Sequence, residues 1–180
     1  RVHDVTVLDD GVSLLTGTPA HVIASAPGTV TAVAQPTDSG RAWRRGRVWR
    51  QWHAGPPEPS DEVVAPDMED AVVAAALGRR LPPSVVASPV PEPPIASGSR
   101  DPGGPHLART FDVTKTFGDD AAVDSVTVHV GSAEIVGLIG ANGAGKTTLM
   151  RMQIGLLNPT RGHVTLFGDP PSRATRRRLG

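Results

Sequence analysis

The chain has no cysteine, no tyrosine and an aromatic content of only 3% across 180 residues. Without cysteine there is neither a disulfide framework nor a thiolate zinc site. So few aromatics, set against 18 prolines and 20 glycines, argue against one continuous core over the full length. No apolar run approaches the roughly 18 residues that a membrane-spanning helix requires. An excess of either charge is also missing: 18 basic residues balance 18 acidic ones. A dedicated nucleic-acid binder usually carries a basic surplus, so no nucleic-acid partner is expected. The six histidines show no metal-ligand spacing. The chain opens at Arg1 without a methionine or a signal-peptide pattern and closes at Gly180 after a basic run, so both ends are expected to be cut.

Three segments follow from composition. In the first, residues 2–8 read as a strand, Asp10-Gly11 as a tight turn and Val12 to Leu15 as the returning strand. Thr18-Pro19 is a cap followed by a first-turn proline, opening a short helix from Ala20 to Ser25 that stops near Pro27-Gly28. Val30 to Ala34 and Arg47 to Trp52 have strand composition. Asp67 caps a helix with Glu69 and Asp70 in its first turn. Met68, Val72, Ala75 and Ala76 share one face, and Gly78-Arg79-Arg80 closes it. Residues 81–105 are dominated by proline, glycine and serine without a period, and read as a semi-rigid linker.

From residue 106 the pattern is that of an α/β unit. Leu107 to Val113 reads as a strand. Val126, Val128 and Val130 alternate with Ser125, Thr127 and His129 in a half-buried strand. Ile135 to Ile139 is a continuous apolar run, as in a central parallel strand. A helix is expected from Lys146 to Leu157, stopped by Asn158-Pro159, with a strand from Gly162 to Phe167.

Between the apolar run and that helix lies Gly140-Ala141-Asn142-Gly143-Ala144-Gly145-Lys146-Thr147-Thr148, a G-x-x-x-x-G-K-[ST] phosphate loop. Glycines admit positive φ and close backbone approach. Successive N–H groups at a helix start then form a nest for anionic oxygens. In this pattern Asn142, Gly143, Ala144, Gly145, Lys146, Thr147 and Thr148 cradle the phosphates. Lys146 reaches the β- and γ-phosphates of ATP as the catalytic-site cation, and the Thr147 hydroxyl ligates Mg²⁺.

The surrounding segments make the likeness specific. Val113-Thr114-Lys115-Thr116-Phe117-Gly118, Ala122-Val123-Asp124-Ser125-Val126, Glu134 to Gly140, Gly155-Leu156-Leu157, Pro159 to Gly162 and Val164 to Gly168 occur in the order seen in ABC transporter nucleotide-binding domains. Over residues 107–180 the chain resembles the first third of such a domain. The resemblance implies that Phe117 stacks on adenine and that Val123 lies beneath the nucleotide. Ala133 stands where the family has glycine, stiffening a turn. Gln153 stands where it has leucine, at a cost if the amide is buried without a partner.

The N-terminal hairpin, residues 2–19, resembles the closing hairpin of the same domain type, and Pro66 to Val72 resembles a helix near the end of exporter-type subunits. The implied order is residues 1–80 as a small α+β C-terminal portion of one cassette, 81–105 as linker, and 106–180 as the N-terminal portion of a second, a partial P-loop NTPase fold. The expected partners are a transmembrane ABC permease and a second ABC cassette, in cis or as a dimer. The expected location is the cytoplasmic face of the membrane, held there through the permease. A tandem-cassette translation factor acting on ribosomes and a non-catalytic fragment are the alternatives; the sparsely charged, proline-rich linker favours the exporter. The glutamine loop, signature motif, second acidic motif and switch histidine that family members use for hydrolysis have no match in residues 106–180, so isolated turnover is not expected.

Trp43, Trp49 and Trp52 interleave with five arginines in residues 41–53. Such a pattern suits single-stranded nucleic acid, but an exposed strand pair with tryptophans on its apolar side is the better reading. Arg173 and Arg176 to Arg178 read as a solvated helix face.

Overall fold

The computed structural model describes residues 2–81 and 106–179. Apart from Leu81, the expected linker lies outside the described residues. Two compact units emerge, both mixing helices and strands. One joins the described residues up to Thr18 with those from His106 onward; the other begins at Pro19 and runs to Leu81.

The first unit opens with a hairpin of β1 (Asp4–Asp9) and β2 (Val12–Gly17). Asp10 and Gly11 both take positive φ, 48° and 75°, the conformation a two-residue hairpin turn demands. Asp tolerates this region through its short polar side chain, and glycine has no Cβ to clash.

The hairpin does not stand alone. β1 pairs in parallel with β9 (Val136–Gly140), Val7 opposite Ile139 and Leu8 opposite Gly140. The three-stranded order is β2-β1-β9. The apolar run is therefore a parallel strand, as expected. It lies at an edge rather than in the centre, because β1 is its one strand partner among the described residues.

The second sheet of this unit is antiparallel, in the order β10-β7-β8. β7 (Ala108–Phe117) and β8 (Asp120–Val130) form a long hairpin, turned at Gly118 with φ 63°. β7 runs four residues beyond the expected Val113. The alternation expected in β8 holds at Val126 and Val128, both buried. Val123 is buried as well, an odd spacing that a bulge explains. Val113 pairs with Val126 and Lys115 with Val123, so β8 carries one extra residue, and Ser125 takes φ 51° there. β10 (Arg161–Leu166) completes the sheet. Leu8, Val113, Val123, Val126, Val128, Ala144, Leu149, Met152 and Val164 form the common core.

The helix after the loop, Lys146–Gln153, ends four residues short of the expected Leu157. Gly155 takes φ 69°, its N–H donates to the Met152 carbonyl at 2.9 Å, and the Leu156 N–H donates to that of Arg151 at 2.8 Å. Those two bonds are a Schellman ending. A Cβ on Gly155 would lie 2.3 Å from Pro171 Cβ, so glycine is required by space as well as by φ.

In the second unit, β4 (Ala42–Arg45), β5 (Val48–His53), β3 (Thr29–Val33) and β6 (Glu62–Val63) make a four-stranded sheet in that order. Helix α1 (Pro19–Ala24) packs against α2 (Met68–Arg79). With these labels the loop helix is α3, and a short α4 covers Arg173–Arg176. Asp67 caps α2 through a reciprocal box with Asp70.

The buried face of α2 is Asp70, Ala71, Ala74 and Ala75. Of the expected stripe only Ala75 is fully buried; Met68, Val72 and Ala76 are half-buried. The stripe is rotated because Asp70 turns inward, where the Trp43 indole N–H donates to its Oδ1 at 3.1 Å. Trp52 is fully buried with its indole N–H on the Pro27 carbonyl at 2.7 Å. Arg45 pairs with Asp67 and Glu69. Trp43, Trp52 and Arg45 of that run are thus engaged within the unit.

Candidate functional site

Three contacts decide the shape of the phosphate loop. At its start, a Cβ on Gly140 would lie 2.2 Å from the Leu8 carbonyl oxygen, so the parallel pairing with β1 demands glycine. At its end, Gly145 takes φ 92°, and a Cβ there would lie 2.3 Å from the Ala122 carbonyl oxygen. Between them Ala144 is buried in the core and its N–H donates to the Ala141 carbonyl at 3.2 Å. Gly143 takes φ 87° in open space, so conformation alone calls for glycine there.

Gly145 is also the left-handed cap of α3, and the first helical hydrogen bond runs from Leu149 N–H to its carbonyl at 2.9 Å. The N–H groups of Gly145, Lys146, Thr147 and Thr148 therefore have no intrahelical acceptor. The helix dipole adds partial positive charge at the same end. Lys146 is half-buried and folds back over the loop, its Nζ donating to the carbonyls of Gly140 at 2.8 Å and Ala141 at 2.7 Å. Asn142 and Thr147 are exposed, and Thr148 is half-buried. Orphan N–H groups, an ammonium and glycines that leave the backbone bare for close approach fit a polyphosphate. The exposed Thr147 hydroxyl at the same helix start is a hard oxygen donor suited to Mg²⁺.

Phe117 and Val123 share the β7–β8 hairpin, with Phe117 opposite Asp120 and Val123 opposite Lys115. They differ sharply in exposure. Phe117 is 54% exposed, with Lys115 Nζ 5.3 Å from its ring centre. It is therefore a surface ring, open to stacking. Val123 is fully buried, and its Cγ2 would be 3.2 Å from a Cβ on Gly145. It thus supports the loop from below.

A structural neighbour that sequence reasoning passed over is Gly11. Its N–H donates to the Ala144 carbonyl at 3.3 Å, and its carbonyl accepts from Asp124 N–H at 2.8 Å. The Asp-Gly pair signalled the turn; nothing local signalled its target.

One carboxyl pair flanks the strand leading to the loop. Burial and the neighbouring Glu134 raise the Asp4 carboxyl above the ordinary aspartate range, partly offset by His129 and His3. No group of three or more metal-ligating side chains occurs among the described residues. No described helix is long and apolar enough to cross a membrane. In the second unit a cleft is lined in part by Asp38, Arg41, His53 and Asp61. Arg41 pairs there with Asp38 at 3.3 Å, and His53 Nε2 lies 3.7 Å from Asp61.

The segment that carries this loop is similar to known proteins. Residues 123–180 match the family model "ABC transporter". The bacitracin transport ATP-binding protein BcrA of Bacillus licheniformis is 43% identical over 63 residues, 35% of this chain and 21% of the relative. The Nod factor export ATP-binding protein I of Rhizobium meliloti is 46% identical over 69 residues, 38% of this chain and 21% of the relative. An uncharacterized ABC transporter ATP-binding protein, YhaQ of Bacillus subtilis, is 46% identical over 68 residues, 38% of this chain and 23% of the relative. The phosphate-loop segment is thus similar to ABC transporter ATP-binding proteins. The matched stretch spans about a fifth of the length of these curated relatives.

Proposed function

We propose that residues 106–180 are the ATP-binding opening part of an ABC cassette, and that residues 1–80 are the closing part of a preceding one, joined by the linker at 81–105. ATP with Mg²⁺ is the ligand. Lys146 meets the β- and γ-phosphates, Thr147 holds the metal and Phe117 stacks on the base. The observation that carries this reading is the constellation at the start of α3: four N–H groups without an intrahelical acceptor beside an ammonium whose partners among the described residues are two loop carbonyls.

In the whole protein the cassette would power export through a transmembrane permease, on the cytoplasmic face of the membrane. The likeness to proteins named for bacitracin transport and Nod factor export supports that choice. Bound Mg²⁺ supplies charge neutralisation of the phosphates. This chain's residues supply binding and orientation.

A titration with a fluorescent ATP analogue and Mg²⁺ tests the reading. Saturable binding that Lys146→Ala weakens by about tenfold or more is the expected result, with ATP turnover at background. Binding that is indifferent to Lys146 would overturn the assignment, and turnover that needs Lys146 would overturn the partial-cassette reading.

A further inference from the structure

The turn of the N-terminal hairpin touches the phosphate loop from behind. Gly11 N–H donates to the Ala144 carbonyl at 3.3 Å, and the Gly11 carbonyl accepts from Asp124 N–H at 2.8 Å. The turn is thereby clamped between the loop and β8. A side chain in the clamp would be crowded. A Cβ on Gly11 would lie 3.0 Å from both the carbonyl carbon and the oxygen of Ala122, at a φ of 75° that disfavours one anyway. From the other side, a Cβ on Gly145 would lie 3.4 Å from the Gly11 Cα. Two glycine backbones are in effect stacked on each other beneath the loop.

Peptide geometry gives that contact a consequence. The unit joining Ala144 to Gly145 is planar and trans, so its carbonyl and its N–H point in opposite directions. A carbonyl drawn toward Gly11 turns the Gly145 N–H away from the hairpin. That N–H is the first of the four orphan donors at the start of α3. We propose that the Asp10-Gly11 turn is a positioning element for the phosphate loop, setting the orientation of the Ala144–Gly145 peptide and hence of the donor that a phosphate meets. Gly11 touches no nucleotide in this account; it acts through Ala144. The proposal rests on the nucleotide-binding reading above.

The test compares four forms of the 180-residue chain with a fluorescent ATP analogue and Mg²⁺: unmodified, Gly11→Ala, Leu15→Ala and Lys146→Ala. Leu15 is buried in β2, outside the turn, so its truncation reports simple weakening of the hairpin. Gly11→Ala is expected to lose about tenfold in affinity, beyond the effect of Leu15→Ala at a comparable loss of thermal midpoint. Equal effects of the two variants would overturn the positioning role. Amide spectra of the unmodified chain keep the question answerable if Gly11→Ala does not fold. The Gly11 resonance should then shift on adding MgATP with the same midpoint as the Gly145 resonance. A Gly11 amide that stays still while Gly145 moves would overturn the proposal and leave nucleotide binding intact. No saturable binding by the unmodified chain would remove both.

Discussion

Lys146 closes the phosphate loop on itself, its Nζ 2.8 Å from the carbonyl oxygen of Gly140, the residue that begins the loop. A second bond to Ala141 at 2.7 Å makes the ammonium a strap over the loop's first peptide. Phosphate oxygens compete for the same three donors. Two of those donors meet carbonyls, so a phosphate oxygen takes the third or exchanges with a carbonyl at the same atom.

That exchange predicts an affinity loss. A hydrogen bond to a charged group contributes about 1.5–3 kcal/mol. Lys146→Ala should weaken MgATP binding by about tenfold or more, read by fluorescence titration. Lys146→Arg should recover only part of it, since a planar guanidinium does not substitute for a compact ammonium.

Gln153 is 8% exposed, and its Nε2 has no hydrogen-bond partner among the described residues. An amide stranded in this way costs about 1–3 kcal/mol. Gln153→Leu, which restores the residue expected from the family pattern, should raise stability by about that amount in chemical denaturation. No change would mean that water reaches the amide.

Ala133 takes φ 58° between β8 and β9. Alanine in the left-handed region costs about 1–2 kcal/mol, and glycine gives back part of the relief through its larger unfolded-state entropy. Ala133→Gly should therefore stabilise the chain by about 0.5–1 kcal/mol. The comparison of denaturation midpoints at equal slope decides it.

Asp4 makes a pH prediction. Its carboxyl is raised by burial first and by Glu134 second, so the folded chain holds that proton more tightly than the unfolded chain does. The stabilising contribution is fully present below the unfolded value near 3.8 and is lost as pH rises through the folded value. Asp4→Asn should make the chain more stable at pH 7, by less than about 1 kcal/mol given its partial exposure. The advantage should vanish near pH 4. An equal gain at both pH values would place the effect elsewhere.

Local signals carried much of this structure. Asp10-Gly11 announced its turn because the required φ values exclude most residues, and the phosphate loop announced itself by glycine spacing. Asp67 was legible as a cap for the same kind of reason. What escaped depended on distant groups. α3 ended at Gln153, with its closing turn at Gly155 packed under Pro171, which arrives from beyond β10. The stripe of α2 was misread because alanines are nearly indifferent to burial, so Trp43 and its bond to Asp70 set the rotation. The partner of β9 was invisible because nothing in an apolar run names the strand that will lie beside it. At the candidate site, Lys146 and its flanking glycines were legible, whereas the support from Gly11 needed the parallel pairing.

That pairing also has a consequence in time. His3 and Ile135, which hydrogen-bond at the mouth of the β1–β9 pair, lie 132 residues apart. At about 5–20 residues per second of synthesis, the hairpin waits on the order of ten seconds for its strand to be made. During that interval β1, which carries Val5, Val7 and Leu8, lacks the parallel partner that this fold gives it. Early chaperone capture of the nascent chain, or misjoining to a neighbouring copy on the same message, would act on this segment before the phosphate loop exists.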